Sequence, residues 1–318
     1  MSPTKDPFRI GHLSTFYHTS LLLMSPEWPG TPLTAEWELF PTGPAMMEAF
    51  RQGRLAVGYI GLPPAMIGMA RGVPIRAVAG GHMEGTVVIG PPGSKTFQDT
   101  AGNLSATIAQ FRGGAIGTPT EGSIHDVILR DLLRREGLAD EVEVKNFLQA
   151  DLLPDALADG DLAAAAGTPA LAVAGERWVG SKLLIPPSYL WPHNPSYGIV
   201  ARADVIEETP ARLEAFLRAH EEATALIRTQ PDVAATITAR LVSIIDAAFV
   251  LDTYQISPKY CGALPPSYVE ATMAFVPILQ ELRYMARPLV EEEVFDTRFL
   301  PRFHPADPHY EQAGALAS

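Results

Sequence analysis

The chain has 318 residues, with 24 Lys and Arg against 36 Asp and Glu, which gives a formal net charge of −12. Its composition, 47% hydrophobic and 19% charged, excludes intrinsic disorder, and its length predicts two compact domains or one large α/β unit. The acidic balance argues against a nucleic-acid partner, because binding to phosphates needs a basic face. With one cysteine, Cys261, neither an intrachain disulfide nor a cysteine-type zinc site is expected.

The strand candidates come first along the chain. Short β-type runs alternate with helix-length segments over most of the first 200 residues, which indicates βαβ units and a mainly parallel sheet. The predicted strands are 8–13, 35–40, 55–60, 75–79, 86–89, 114–117, 142–147, 162–166, 182–185 and 197–201. Between them, helices are clearest at 44–52, where Pro44 lies in the first turn and Gly53 follows the end, and at 123–136, where Ser123 can cap the first amides.

After residue 204 the strands give way to Ala-, Leu- and Glu-rich periodic segments, which predict a helical C-terminal tail. Its helices are expected at 210–229, 232–241, 246–254 and 267–284. The last stretch, 301–318, shows no periodicity and is expected to be extended or frayed.

Two Pro-rich breaks, at 91–93 and 186–195, mark places where the chain crosses between domains. They predict one discontinuous lobe from residues 1–91 and 191–318, including the C-terminal helices, and a second lobe from residues 92–190. Two α/β lobes joined in this way enclose a cleft, and ligands bind preferentially where strands end and helices begin.

Several segments in a fixed order resemble one family. Residues 41–53 read PTGPAMMEAFRQG, followed by VGYIGLPP at 57–64 and ARGVPI at 70–75. The opening FRIGH at 8–12 and the return YGIVAR at 197–202, with ETP at 208–210 and FLRAH at 216–220, continue the series. Together they resemble the solute-binding proteins of nitrate/sulfonate/taurine-type ABC importers. One departure is that the family's aspartate before a small apolar strand is Ala56 here and Ala163 in the second half, which places any aspartate-dependent contact in doubt.

This resemblance implies an α/β, two-lobed type II periplasmic-binding-protein fold with a helical C-terminal tail. It also implies that the protein, as a monomer without a cofactor, binds a small organic or oxyanionic solute in an interlobe cleft and delivers it to an ABC permease. No run approaches the roughly 18–20 apolar residues that a membrane span needs, and Met1–Phe8 lacks secretory-signal features. The expected location is periplasmic or extracellular and membrane-associated if a signal peptide was removed, and otherwise cytoplasmic.

The candidate ligand-binding residues follow predicted strands or open predicted helices, where backbone amides, hydroxyls and aromatic rings can meet a solute. In lobe 1 and the crossings they are Ser14, Thr15, Phe16, Tyr17, His18, Gly61, Leu62, Pro63, His82, Glu84, His193 and Tyr197. In lobe 2 they are Thr118, Glu121, Gly122, Ser123, His125 and Thr168. Helix capping, turn formation and a polar connector at 80–85 are the structural alternatives for the same residues.

Neither a metal site nor catalysis is predicted. The histidines of the cleft loops, His18, His82, His125 and His193, lack the close pairing of known ligand motifs. The alternative function is a cytoplasmic enzyme on the same fold that acts on a small heterocyclic or sulfur-containing organic molecule. Relatives with such activity use a cysteine in a cleft loop or a cysteine-rich motif, whereas Cys261 falls in the helical tail, so binding is favoured over catalysis.

Overall fold

The computed structural model describes residues 7–148 and 150–311, and these form two five-stranded sheets. The first sheet has the strand order β2-β1-β3-β10-β4 and the second has the order β7-β6-β8-β5-β9. The strands are β1 (Arg9–Leu13), β2 (Glu36–Phe40), β3 (Val57–Ile60), β4 (Ile75–Met83), β5 (Val87–Gly90), β6 (Ala115–Pro119), β7 (Glu143–Phe147), β8 (Ala164–Gly167), β9 (Lys182–Ile185) and β10 (Pro195–Arg202).

Four strands of each sheet run in the same direction, as predicted from the sequence, and one strand runs against them, so each sheet is mixed. Strand β1 pairs in parallel with β2 and β3, and β6 pairs in parallel with β7 and β8. Strand β10 is antiparallel to β3 and β4, and β5 is antiparallel to β8 and β9. The strand that runs against the others is in each sheet the first one after a crossing, β5 in the second sheet and β10 in the first.

The helices cover the sheets and extend into the C-terminal third. They are α1 (Ser20–Met24), α2 (Gly43–Arg51), α3 (Leu62–Ala70), α4 (Leu104–Ala109), α5 (Ile124–Arg135), α6 (Leu153–Ala158), α7 (Pro169–Val179), α8 (Pro187–Leu190), α9 (Ala203–Glu208), α10 (Pro210–Thr229), α11 (Pro231–Val242), α12 (Ala247–Ile256), α13 (Pro266–Met273), α14 (Phe275–Glu281), α15 (Glu291–Val294) and α16 (Leu300–Phe303). A 3-10 turn (Ala150–Leu152) precedes α6. No described helix has the length and hydropathy to cross a membrane.

The central strands β3, β5 and β8 are buried at every residue, because helices pack on both faces of each sheet. Their sequences, VGYI, VVIG and AAAG, are therefore continuous apolar runs rather than alternating ones. The α/β fold with two lobes and a helical C-terminal region agrees with the expectation from the sequence. We call the part built on the first sheet lobe 1 and the part built on the second sheet lobe 2.

The change of sheet occurs between β4 and β5, at residues 84–86. The Pro-rich break at 91–93 therefore lies after the crossing, and 87–90 pair with lobe 2 rather than with lobe 1 as predicted. The glycines at 80 and 81 belong to β4 and do not form a connector. A Cβ atom on Gly81 would lie 2.1 Å from the Tyr197 ring, so the glycine is needed for strand packing and not for loop flexibility.

The tail helices contact both lobes. Phe249 of α12 joins an apolar cluster with Val173 of α7, and Phe275 of α14 stacks on Trp191 with ring centroids 4.2 Å apart. The predicted helix 267–284 is divided at Ala274, since Pro277 has no amide to continue the hydrogen-bond series.

The chain end differs from the expectation at 301–303, which belong to α16, whereas 304–310 are in neither a helix nor a strand, as expected. Residues 304–310 are not frayed, because His304 and Tyr310 are buried. Residues 312–318 of the predicted tail lie outside the described residues.

Candidate ligand-binding site

A cavity of about 350 Å³ lies between the two lobes. Lobe 1 lines it with the C-terminal ends of β1 and β2, the segments that follow β1, β2 and β3, and Ser196 of β10. Lobe 2 lines it with the end of β6 and the segments that follow β6, β7 and β8. This is the edge of an α/β sheet at which ligands are usually bound. Its lining residues are Leu13, Ser14, Thr15, Tyr17, His18, Leu39, Phe40, Pro41, Thr42, Gly43, Gly61, Pro64, Pro119, Thr120, Ser123, Ile124, His125, Leu148, Ala150, Asp151, Thr168 and Ser196.

Four helices begin at this cavity. The N-cap residues of α2, α3, α5 and α7 are Thr42, Gly61, Ser123 and Thr168, and all four line it. Helix N-termini carry unpaired amides and a partial positive charge. The cavity therefore offers hydrogen-bond donors from both lobes.

Three buried polar atoms at the cavity lack a hydrogen-bond partner among the described residues. They are Thr15 Oγ1 and His18 Nδ1 from lobe 1 and Thr120 Oγ1 from lobe 2. Burying such an atom without a partner costs about 1–3 kcal/mol, so native proteins rarely leave one unpaired. Their position on both walls of one cavity is typical of a site that pairs with a bound molecule.

The two histidines of the cavity are neutral at pH 7. Burial, together with the neighbouring histidines, holds the pKa of His18 well below its usual value, and burial lowers the pKa of His125 to about 4. His18 packs against the Tyr197 ring at a centroid distance of 4.1 Å, and His125 Nδ1 lies 3.0 Å from the Thr86 hydroxyl. Neutral imidazoles can donate or accept a hydrogen bond but bring no charge to the site.

Formal charge is scarce around the cavity. Among its lining residues in the described part of the chain, Asp151 carries the one carboxylate, and there is no Lys or Arg. Tyr17 is also uncharged, because burial raises the pKa of its phenol to about 12, and its hydroxyl lies 3.0 Å from Ser196 Oγ.

The lobe 2 loop at the cavity is held by a buried carboxylate. Asp126 is fully buried, and its two oxygens accept hydrogen bonds from Gly122 N at 2.9 Å, Arg130 Nε at 2.8 Å, Asn146 Nδ2 at 2.8 Å and the Tyr284 hydroxyl at 2.7 Å. Gly122 has a φ of 77°, a conformation that glycine adopts readily. Asp126 therefore joins the loop at the cavity to β7 and to the helical tail.

The structure brings eight of the predicted residues together at the cavity. They are Ser14, Thr15, Tyr17, His18, Gly61, Ser123, His125 and Thr168. Ser123 also has a structural role, since its hydroxyl oxygen accepts the Asp126 amide at 3.3 Å. Contact of these eight residues with a solute stays a prediction.

The other predicted residues do not line the cavity, each for a physical reason. Leu62 and Pro63 are buried in α3, and Thr118 is buried in β6. Glu121 is exposed, and Gly122 is occupied in its hydrogen bond to Asp126.

The remaining five lie behind the cavity wall or at the crossings. Phe16 packs on Phe249, and Tyr197 lies behind His18. His82 belongs to β4, where its Nε2 contacts the Ser257 carbonyl at 2.5 Å. Glu84 forms an ion pair with Lys259 at 3.0 Å and accepts the His193 amide at 2.9 Å.

Sequence reasoning missed the cavity residues in the last positions of β2 and in the segments that follow β2 and β7. These segments contribute Leu39, Phe40, Pro41, Thr42, Gly43, Leu148, Ala150 and Asp151. The rule that ligands bind after parallel strands selects the segments after β1, β3, β6 and β8 from the sequence, and the same rule extended to β2 and β7 selects these segments too. Leu13, Pro64, Pro119, Thr120, Ile124 and Ser196 were also missed, although each adjoins a segment that was singled out.

A second group of polar residues, outside the cavity, was also missed. Glu221, Cys261, His304 and His309 bring one ligand atom each to within 4.8 Å of one another. The H-x4-H spacing of the two histidines was a usable signal, whereas Glu221 and Cys261 are distant in sequence.

Two mixed sheets, a cavity between them at the strand ends and a helical C-terminal region define the class of two-lobed periplasmic-binding-protein folds. Solved structures agree with this assignment. The ligand-binding component of an ABC-type import system from Staphylococcus aureus, with zinc bound, superposes with a TM-score of 0.76 at 16% identity, covering 94% of this chain and 99% of that one. The periplasmic aliphatic sulphonate-binding protein SsuA from Escherichia coli gives a TM-score of 0.75 at 18% identity over 92% and 93% of the two chains.

The chain belongs to the NMT1-like family, whose model matches residues 3–243. A Brucella abortus protein provisionally named as a binding protein is 27% identical over 250 residues, which is 75% of this chain and 72% of the relative. The resemblance to importer solute-binding proteins noted in the sequence is thereby confirmed.

Proposed function

We propose that this protein is the solute-binding component of an ABC import system and that its solute occupies the cavity between the lobes. The observation that carries the proposal is the set of three buried, unpartnered polar atoms at the cavity, Thr15 Oγ1, His18 Nδ1 and Thr120 Oγ1. The names of the structural neighbours in Staphylococcus aureus and Escherichia coli, and of the Brucella relative, support the same role.

The solute that fits best is a small organic molecule with one compact polar group. A cavity of about 350 Å³ lies at the lower end of the range for small-molecule sites, and a free inorganic oxyanion would fill only a small part of it. Leu13, Phe40 and Ile124 supply apolar walls, and the exposed Leu39 and Leu148 face it from opposite lobes. The unpartnered hydroxyls and the helix N-termini suit the polar group.

An uncharged polar group is favoured over a strong anion. The described residues that line the cavity hold no Lys or Arg to form an ion pair, and Asp151 would repel a second negative charge. Helix N-termini alone contribute about 0.3–1 kcal/mol each toward an anion. Because four N-termini together contribute about 1–4 kcal/mol toward an anion, a sulfonate, a carboxylate and a neutral compound of the same shape are compared to test this preference.

Binding, rather than catalysis, is the function we propose. The enzymatic alternative requires a thiol in the cleft. The one cysteine of the chain, Cys261, does not line the cavity and is buried in the group with Glu221, His304 and His309. We propose that lobe 1 consists of residues 7–86 and 195–311 and that lobe 2 consists of residues 87–190, followed by the crossing to β10. The proposed partner is an ABC permease.

A thermal-shift screen tests this function directly. The panel contains neutral heterocycles and amides, matched alkylsulfonates and carboxylates, taurine and nitrate, because a ligand that binds only the native state raises the unfolding temperature. Thr15→Val removes a cavity hydroxyl, and Thr34→Val, at an exposed position, serves as the matched control. We expect stabilising compounds to act on wild type and Thr34→Val but less on Thr15→Val.

Two outcomes would contradict the proposal. Equal stabilisation of both variants would place the binding site outside the cavity. The second is conversion of a bound compound to a product. Mass spectrometry of an equimolar mixture of protein and compound would detect that product and show that the protein is an enzyme.

A further inference from the structure

Four side chains from three distant segments converge in lobe 1, and none of them lines the cavity. Glu221 is on α10, Cys261 is in the loop after α12, and His304 and His309 are on the segment that follows α16. We propose that Glu221, Cys261, His304 and His309 form a structural zinc site. This inference is independent of the solute and of the proposed function.

The distances match tetrahedral coordination. Cys261 Sγ lies 3.0 Å from His304 Nε2 and 3.5 Å from His309 Nδ1, and the two ring nitrogens are 3.1 Å apart. Glu221 Oε1 lies 3.8 Å and 3.9 Å from the same two nitrogens. With metal bonds of about 2.3 Å to sulfur and about 2.0–2.1 Å to nitrogen or oxygen, tetrahedral ligands are about 3.3–3.6 Å apart. All four ligand atoms lie within 4.8 Å of one another, so movements of about 1 Å or less, mainly of the Glu221 carboxylate, would complete the site.

The donor set selects the metal. One thiolate, two imidazoles and one carboxylate suit Zn²⁺, whereas Mg²⁺ and Ca²⁺ prefer oxygen ligands alone. All four tetrahedral positions come from the protein, which is typical of a structural site and not of a catalytic one. The H-x4-H spacing of His304 and His309 falls within the range found in zinc sites.

Neighbouring groups orient the proposed ligands. Arg228 Nη2 donates to Glu221 Oε1 at 3.0 Å, and the Gly262 amide donates to Oε2 at 2.7 Å, so the carboxylate is fixed toward the histidines. The amides of Ala263 and His309 point at Cys261 Sγ at 3.5 Å and 3.4 Å. Such hydrogen bonds to ligand atoms tune and position metal ligands in known sites.

The consequence of metal binding is a clamp on the end of the chain. Zinc would tie the 304–309 segment to α10 and to the loop that pairs with β4, where the Gly80 amide donates to the Gly262 carbonyl at 2.9 Å. The same segment is already fixed by Tyr310, whose hydroxyl donates to the Cys261 and Ala263 carbonyls at 2.7 Å and 2.9 Å.

The experiment uses the untagged full chain, freed of metal by dialysis against a chelator and then loaded with Zn²⁺ or Co²⁺. We expect one Zn²⁺ per chain by elemental mass spectrometry and a higher unfolding temperature than in the metal-free protein. With Co²⁺ we expect a thiolate-to-cobalt charge-transfer band and the visible bands of tetrahedral cobalt. Cys261→Ser should remove the charge-transfer band, and His309→Ala should lower Zn²⁺ affinity by at least about 100-fold.

Matched controls separate this site from general metal binding. Glu222 is next to Glu221 in the sequence, but its carboxylate accepts a hydrogen bond from the Thr31 amide at 2.8 Å. The Glu222→Gln variant should therefore bind zinc like wild type, whereas the Glu221→Gln variant should not. Circular dichroism of the metal-free variants checks that each is folded. His309 is the most exposed of the four side chains, at 22%, so its substitution disturbs packing least. Wild type that retains no zinc, or Cys261→Ser and His309→Ala that bind it as tightly as wild type, would overturn the proposal.

Discussion

Replacing Thr15 with valine should make the ligand-free protein more stable, although the residue lies in the candidate site. Its buried hydroxyl has no partner among the described residues, and burying such a group costs about 1–3 kcal/mol. Valine keeps the branched shape and replaces the hydroxyl with a methyl group. Because the residue is partly exposed, we expect the lower end of that range, a gain of about 1 kcal/mol in the free energy of unfolding.

Ser123→Ala gives the opposite result and serves as the comparison. The Ser123 hydroxyl oxygen accepts the Asp126 amide at 3.3 Å and caps α5. Loss of an N-cap hydroxyl costs about 1 kcal/mol, so this variant should be less stable by that amount. Both residues line the same cavity, and the two signs follow from the presence or absence of one hydrogen bond.

Urea titration monitored by circular dichroism measures both free energies of unfolding, and an unchanged m-value verifies that the comparison is valid. Once the panel has identified a solute, Thr15→Val should weaken its binding by about 1–3 kcal/mol, measured by calorimetry. A Thr15→Val protein that is less stable than wild type without ligand would refute the reasoning, because it would mean that the hydroxyl is paired within the folded protein.

Three further predictions concern the framework of the site. Asp126→Asn should lower the free energy of unfolding by about 3 kcal/mol in urea titration, because its new amide group would face donors where the carboxylate accepts four hydrogen bonds; stability equal to wild type would contradict this. Gly81→Ala should cost at least about 3 kcal/mol by the same assay, since its Cβ would overlap the Tyr197 ring, and a neutral effect would show that β4 can shift. The free energy of unfolding should fall by about 3 kcal/mol between pH 6 and pH 5. Three buried histidines with pKa values lowered to about 4 stay neutral in the folded protein, whereas the unfolded chain binds protons on them below about pH 6.5. Equal free energies of unfolding from urea titrations at the two pH values would exclude this prediction. These histidines are His82, His125 and His220.

Much of the framework could be predicted from the sequence, because it depends on local patterns. All ten strands lie within a few residues of the predicted runs, and α10 has the predicted bounds, since apolar runs and Pro or Gly punctuation act over neighbouring residues. The order of the segments that resemble the solute-binding family also led to the correct fold class. Gly61, Ser123 and Thr168 were found because a residue between a strand and a helix is recognisable from its neighbours alone, whereas Ser14 and Thr15 follow β1 but α1 begins only at Ser20.

The tertiary structure decided which of those residues share one space. His82 and Tyr197 have the residue types of a binding site, yet β4 and β10 pair antiparallel and place both side chains within the core of lobe 1. Leu39 and Leu148 have no local signal, and they reach the cavity because the C-terminal ends of β2 in the first sheet and β7 in the second open onto the same space. The sequence determines which segments form strands and helices through contacts between near neighbours, whereas packing over long distances in the chain decides what surrounds each side chain. Glu221 and Cys261, 40 residues apart, meet His304 and His309 for that reason alone.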